Sequence, residues 1–286
     1  MLTGEARRAA VLGSPIGHSL SPVLHRAAYR ALGLSDWDYD AHEVPASALQ
    51  AFVAGLGPQW AGLSLTMPLK EVAFEVADDV SDLARDVGAV NTLVRRADGG
   101  WSADNTDVYG VAQALREAGC THVTSSLVLG SGATARSVVA ALVMLGCQRV
   151  TFAVRLEARQ ETLDQARRAG LEVDIVGLGQ PNQAGFGQVM DRVGDAAVVV
   201  STLPAGAETA GLFAGGAPLA GHLFLDVVYT GWPTPLARAF GDAGASVVSG
   251  FEMLLHQAAR QVHLMTGKLP PVEQMRAAGR AAMESR

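Results

Sequence analysis

The apolar run Ser126-Leu-Val-Leu turns at Gly130-Ser131-Gly132-Ala133-Thr134-Ala135-Arg, and a helical pattern follows as far as Gly146. A G-x-G-x-x-A turn between a strand and a helix restricts the chain around it to a doubly wound α/β arrangement. Gly130 permits the tight turn and Gly132 lets backbone approach a pyrophosphate. Small Ala135 allows close helix packing, and the helix N-terminus offers N–H groups and partial positive charge. The same turn is also used by doubly wound proteins that bind no dinucleotide.

Elsewhere short apolar runs alternate with helical patterns, which predicts an α/β protein with mostly parallel sheets. Residues 9–13 read as a first strand, with Ser21 as N-cap and Pro22 as first residue of a helix ending near Gly33. Further strands are expected at about 38–44, 61–66 and 88–95, and helices at about 46–56 and 69–77. The hydrophilic stretch 97–107 closes a first domain, 1–107, and a helix from Val108 to Gly119 leads into a second, 108–249. That second domain should carry strands at 126–130, 149–154, 171–176, 196–201, 222–228 and 245–249, with 177–194 too mixed to assign. Helical spacing returns from Phe251 to Met265 and is broken by Gly267 and Pro270-Pro271.

With 286 residues and 49% hydrophobic content, both domains can bury a core without metal or disulfide support. Cys120 and Cys147 lack a C-x-x-C spacing, as expected of packing residues in a reducing cytoplasm. Lysine and arginine total 22 against 28 acids, a formal charge of -6 with no basic run, which argues against a nucleic-acid surface. No apolar run of membrane length and no leader-like segment is visible, so a soluble cytoplasmic protein is expected.

A site that prefers NAD ends its second strand with an acid for the ribose hydroxyls. Here the strand ends Val154-Arg155-Leu156-Glu-Ala-Arg159. Two arginines one helical turn apart can hold a ribose 2′-phosphate through charge-assisted bonds, so NADP is expected in preference to NAD. Arg159 alone would read equally as an exposed helix charge.

The chemical centre is expected at Lys70, which ends Gly62-Leu-Ser64-Leu-Thr66-Met-Pro-Leu-Lys70. A lysine delivered from a strand end and hydrogen-bonded to a carboxylate can hold and move a proton at a developing alkoxide, and Asp107 is the expected partner. Taken alone, Asp107 could also be read as a loop acid or as an N-cap for the following helix. Asp104 and Asp107 together suggest no metal, because no histidine lies at ligand spacing. Ser19 and Ser21 put two hydroxyls on one turn, a geometry suited to a substrate carboxylate, while Asn91 and Thr66 offer polar contacts to substrate hydroxyls. His18 and His25 have no visible acid or nucleophile partner and read as structural.

Taken together, Gly17-His-Ser-Leu-Ser-Pro22, Ser64-Leu-Thr-Met-Pro-Leu-Lys70, Gly88-Ala-Val-Asn-Thr92, Asp104-Asn-Thr-Asp107, Gly130-Ser-Gly-Ala-Thr-Ala-Arg136 and Gly250-Phe-Glu-Met-Leu-Leu-His-Gln257 resemble the shikimate dehydrogenase family. The blocks fall in the family's order over nearly the whole chain. The resemblance implies an N-terminal α/β substrate domain and a Rossmann-type doubly wound NADP-binding domain, with C-terminal helices from about 250 to 286 returning to the first. It implies NADPH-dependent reduction of 3-dehydroshikimate to shikimate, in the pathway to aromatic amino acids. Lys70 and Asp107 then look like the catalytic pair and Ser19 and Ser21 like the carboxylate contacts. Thr66, Asn91, Asp107, Tyr229 and Gln257 look like the ring-hydroxyl contacts. Gly130, Ser131, Gly132, Ala133, Thr134, Arg155 and Arg159 would face the nucleotide, with Val227 and Gly250 on the nicotinamide side.

Three departures from the family pattern stand out. Ser64 replaces a usual Asn, shortening one substrate contact. Val154-Arg155-Leu156 replaces the usual Asn-Arg-Thr, and Ala133-Thr134 the usual Gly-Ala. Quinate activity with relaxed cofactor use, or an NADP-binding regulator without chemistry, are the competing readings; the presence of both Lys70 and Asp107 speaks against the second. Monomer and homodimer are both open, and no nucleic-acid or membrane partner is expected.

Overall fold

The computed structural model describes residues 6–178, 186–207 and 218–285. They form two compact units, Met1–Gly110 with Leu254–Arg286, and Val111–Met253.

The first unit runs β1 (Arg7–Gly13), α1 (Ser21–Ala31), β2 (Trp37–Glu43), α2 (Leu49–Ala54), β3 (Trp60–Leu65), β4 (Asp79–Val80), α3 (Asp82–Val87), β5 (Thr92–Arg95) and β6 (Trp101–Asp104). Then follow α4 (Asp107–Glu117), β7 (Ser125–Leu129), α5 (Ala133–Met144), β8 (Arg149–Val154), α6 (Gln160–Arg168), β9 (Glu172–Gly177), α7 (Phe186–Asp195), β10 (Val198–Ser201), β11 (Leu223–Asp226), α8 (Pro235–Asp242), β12 (Ser246–Ser249), α9 (Gly250–Thr266) and α10 (Val272–Glu284). The divide between the units falls within α4 and within α9.

The first sheet has the order β2-β1-β3-β5-β6-β4. Strands β1, β2 and β3 are parallel, whereas β3 with β5 and β5 with β6 are antiparallel. This mixture positions the site. Where β1 and β3 end, β5 begins and β6 ends, so the turns after Gly13, after Leu65, before Thr92 and after Asp104 all leave from one edge. Every residue of β3 is buried, as suits a central strand covered on both faces. The core beside it gathers Leu12, Leu63, Leu65, Leu69, Leu93 and Trp101. At the opposite edge β5 and β6 are joined by a short hairpin, in which Arg96 N–H donates to the Gly100 carbonyl at 2.9 Å and Gly99 has φ +90.

The second sheet is parallel throughout, in the order β12-β11-β10-β7-β8-β9. Counted from β7 this is the 3-2-1-4-5-6 arrangement of dinucleotide-binding folds. Its core includes Leu127, Leu129, Val199, Phe224 and Phe240, the two phenylalanine rings stacked at 4.1 Å.

Several local expectations need correction. Leu20, not Ser21, is the residue before α1; Ser21 lies in the first turn and its N–H donates to Ser19 Oγ at 3.2 Å. The span 69–77 carries only a 3-10 turn at Val72–Val76. Within 88–95 only Thr92–Arg95 is strand, and α3 ends just before the span, at Val87. The hydrophilic stretch 97–107 contains β6, in which Trp101 and Ala103 are buried and Ser102 and Asp104 are not. Part of the unassigned 177–194 is α7, and residues 179–185 of it lie outside the described residues.

Candidate functional site

Lys70 closes the turn that leaves β3, and backbone ties hold that turn in place. Thr66 N–H donates to the Leu12 carbonyl at 2.9 Å, Leu69 N–H to the Thr66 carbonyl at 2.8 Å, and Val90 N–H to the Lys70 carbonyl at 2.8 Å. Asp107 begins α4 just beyond β6. Capping falls to Asn105, whose Oδ1 accepts N–H from Asp107 at 3.0 Å and Val108 at 3.4 Å. The Asp107 carboxylate is thereby left for other partners, and the N-cap reading of Asp107 does not hold.

Lys70 Nζ donates to Asp107 Oδ2 at 2.5 Å, with 15% of the lysine side chain and 7% of the aspartate side chain exposed. Asn91 Nδ2 donates to Asp107 Oδ1 at 2.8 Å and to Thr106 Oγ1 at 3.0 Å. Gln257 Oε1 accepts from Asn91 Nδ2 and from Thr106 Oγ1, each at 3.4 Å. Four residues expected from the sequence, Lys70, Asp107, Asn91 and Gln257, thus form one hydrogen-bonded group in the first unit. A largely buried ammonium beside a carboxylate satisfied on both oxygens is a group that can give and take a proton without losing its place. Asp104 is otherwise engaged: its Oδ1 accepts from Ser81 Oγ at 2.7 Å and from Asn105 N–H at 2.8 Å.

The Ser14–Ser21 turn and the Thr66–Lys70 turn leave adjacent strands, and Ser14 N–H donates to the Met67 carbonyl at 3.0 Å. Ser19 and Thr66 are half-buried, and Ser21 is buried at the start of α1. Behind them His25 is wholly buried, stacked on Tyr39 at 3.8 Å, with Nδ1 2.9 Å from the Ser21 carbonyl. Burial lowers the His25 imidazole to about 4, against a smaller opposing effect of that carbonyl.

In the second unit Gly130 has φ +97, and a β-carbon there would meet Thr202 Oγ1 at 2.8 Å, so the turn admits only glycine. In front of Gly132 there is open space, with nothing within 4 Å of a β-carbon built there. No side chain caps α5, whose first N–H groups lie next to that space. Ala133 and Thr134 open the helix. These features fit a pyrophosphate. Ser131 is used differently from a free ligand donor: its Oγ accepts Arg159 N–H at 3.1 Å, and its carbonyl accepts Thr162 Oγ1 at 2.7 Å. The glycine turn is thus tied to the segment carrying Arg159, while Arg155 is exposed at the end of β8.

Gly250 packs so tightly on the carbonyl of Val227 that a β-carbon would collide with it. Tyr229 is half-buried beyond β11, in the second unit, whereas the other residues expected at the substrate belong to the first. A cleft of about 400 Å³ opens at the ends of β10 and β11, lined by Ser201, Leu203, Gly206, Asp226, Val228 and Thr234 among others. Asp226 organises this loop, accepting Thr234 Oγ1 at 2.7 Å and Val228 N–H at 3.1 Å, and burial pushes its carboxyl up.

Sequence reasoning missed Thr92, Thr106, Tyr39 and Gln261, which join the same buried polar group. Gln261 carried one signal, its place one helical turn after Gln257 on α9.

The chain is similar to known proteins over nearly its whole length. Residues 11–93 match the model of the shikimate dehydrogenase substrate binding domain, and residues 250–278 that of the shikimate 5′-dehydrogenase C-terminal domain. A shikimate dehydrogenase (NADP(+)) of an Anaeromyxobacter species is 39% identical over 97% of this chain and 97% of its own. The crystal structure of Mycobacterium tuberculosis shikimate dehydrogenase is 44% identical, with a TM-score of 0.83 over 96% of this chain and 99% of that one. That of Thermus thermophilus shikimate 5-dehydrogenase in complex with NADP(H) and shikimate is 32% identical, with a TM-score of 0.80 over 96% and 99%. Since likeness of this depth extends over almost every residue, from β1 to the last helix, the chain belongs to the shikimate dehydrogenase family.

Proposed function

We propose that this protein interconverts 3-dehydroshikimate and shikimate with NADP(H), and that Lys70 and Asp107 are its proton-transfer pair. The observation that carries the reading is the 2.5 Å contact between Lys70 Nζ and Asp107 Oδ2 in a group that also holds Asn91 and Gln257. Oxidation of a secondary alcohol removes a hydride from carbon and a proton from oxygen. NADP, when bound, supplies the hydride chemistry, and Gly130, Ser131, Gly132, Ala133, Thr134, Arg155 and Arg159, with Val227 and Gly250, would hold it. The remaining task is the proton. Lys70 takes it from the hydroxyl in oxidation as the neutral amine and returns it in reduction as the ammonium so formed, while Asp107 holds the ammonium in position and balances its charge. Ser19 and Ser21 bind the substrate carboxylate, and Thr66, Asn91, Tyr229 and Gln257 the ring hydroxyls.

Among the described residues no helix is long and apolar enough to cross a membrane. We place the enzyme in the cytoplasm, in aromatic amino acid biosynthesis.

Absorbance at 340 nm, with shikimate and quinate each crossed with NADP and NAD, tests the reading. Turnover mainly with shikimate and NADP is expected. Turnover with quinate and NAD alone would reassign substrate and cofactor, and no turnover with any pair would leave a binding protein.

A further inference from the structure

The residue that replaces the family's usual asparagine does not face an empty place. Ser64 is buried on β3, and its Oγ donates to Gln261 Oε1 at 2.8 Å while accepting Tyr39 OH at 2.6 Å. Gln261 is fully buried on α9, and its Nε2 donates to Thr92 Oγ1 at 2.9 Å and to the Asn91 carbonyl at 3.3 Å. Thr92 Oγ1, having accepted that hydrogen, donates its own to Asn91 Oδ1 at 2.7 Å, where Thr106 N–H also donates at 2.7 Å. Asn91 Oδ1 is therefore committed as an acceptor, and Nδ2 is left to face Asp107 Oδ1.

Donation runs one way along the series, from Tyr39 through Ser64, Gln261, Thr92 and Asn91 to Asp107, which accepts Lys70 on its other oxygen. An amide has one donor end and one acceptor end: reversing Asn91 would set its Nδ2 against Thr106 N–H and its Oδ1 against the Asp107 carboxylate, and reversing Gln261, whose hydroxyl partners could turn, would set its Oε1 against the Asn91 carbonyl. In a buried setting such a mismatch is costly, and the series therefore has one favoured orientation. Ser64 and Thr92 are register partners across β3 and β5, and the Gln261 amide bonds both side chains from the facing helix.

We infer that Gln261 is a positioning residue for the reaction, fixing through Thr92 and Asn91 the orientation of the Asp107 carboxylate that holds Lys70, a role that rests on the functional reading above. Gln261 touches neither Asp107 nor Lys70 through any of these bonds, and its effect is relayed.

Gln261→Met keeps length and volume but removes all three hydrogen bonds of the amide, and Thr92→Val removes the next link. Each is expected to lower kcat for shikimate oxidation by up to about 10-fold, the order of one neutral hydrogen bond lost, and to displace the pH profile of kcat with KM for NADP unchanged. Because both cut one series, the double variant should be no worse than the poorer single variant. Unchanged kcat and pH profile in the single variants, or losses that multiply in the double variant, would overturn the inference. Should Gln261→Met fail to fold, Thr92→Val decides alone. NMR of ¹³C-labelled lysine, assigned with Lys70→Arg, reads the Lys70 titration without any turnover. A midpoint displaced by Gln261→Met supports the relay even in a protein inactive on shikimate, and an unmoved midpoint refutes it.

Discussion

Asn91 Nδ2 lies 2.8 Å from Asp107 Oδ1, so the carboxylate that receives Lys70 on one oxygen is held on the other by a neutral donor. A second cation there would compete with Lys70 for the negative charge. An amide fixes the geometry and leaves the charge to the lysine. Replacing Lys70 by Ala should lower kcat by ~10²–10⁴-fold, the usual contribution of a positioned acid-base group. Fluorescence titration with NADPH should show affinity close to that of the parent protein. Undiminished turnover would remove Lys70 from the mechanism.

Exposed Arg155 at the end of β8 is expected to distinguish the two nucleotides. Arg155→Gln removes a charge-assisted bond to a 2′-phosphate, commonly worth about 1.5–3 kcal/mol, or roughly 10- to 150-fold in affinity. The dissociation constant for NADP should rise within that range while that for NAD stays nearly constant. Equal changes for both nucleotides would place Arg155 elsewhere.

The close approach of Gly250 to the Val227 carbonyl leaves no room for a methyl group, and the obstacle is backbone rather than a movable side chain. Gly250→Ala should cost about 1–3 kcal/mol by overpacking, visible as a lower Tm in calorimetry, and should raise KM for NADP. A Tm equal to the parent's would show that the β11–α9 junction yields easily.

Stability should depend on pH through His25. The imidazole is neutral in the fold down to about 4, against an ordinary value of 6.5 once unfolded, because it is wholly buried. Between those values the unfolded chain binds the extra proton. Its stabilising effect is therefore complete above the unfolded value and is lost as pH falls towards 4, a change on the order of 3 kcal/mol. Urea unfolding at about pH 7.5, 5.5 and 4.5 measures it, and His25→Phe should flatten the slope over that range. An equally steep slope in the variant would assign the dependence to other groups.

Much of the second unit was legible in the sequence because its buried parallel strands are continuous apolar runs: β8 occupies the 149–154 expected of it, and β10 and β12 lie within their expected spans. Helix α6 was not, since Gln160–Arg168 is polar on most faces and buries Thr162 and Gln165 along with Leu163 and Ala166. Strand β6 was hidden for a related reason, with only Trp101 and Ala103 turned inward among Asp, Gly and Ser. At the site, Lys70 and Asp107 could be paired from their segments, which the sheet brings to one edge. The series through Gln261 could not. Burial of a glutamine 170 positions from the Asn91 carbonyl it bonds is decided by packing of α9 on the sheet, and no local pattern records it.

The alternation of strand direction has a practical corollary for anyone wishing to label or immobilise this protein. Because β5 and β6 each span four residues, the Arg96–Gly100 hairpin sits about 13 Å along the sheet from the edge that carries Asn91 and Asp107, at 3.3 Å per residue. Its residues are largely exposed, and Asp98 and Arg96 bond chiefly to one another and to the turn itself. A fluorophore, a purification tag or a surface tether grafted there should leave the reacting groups untouched.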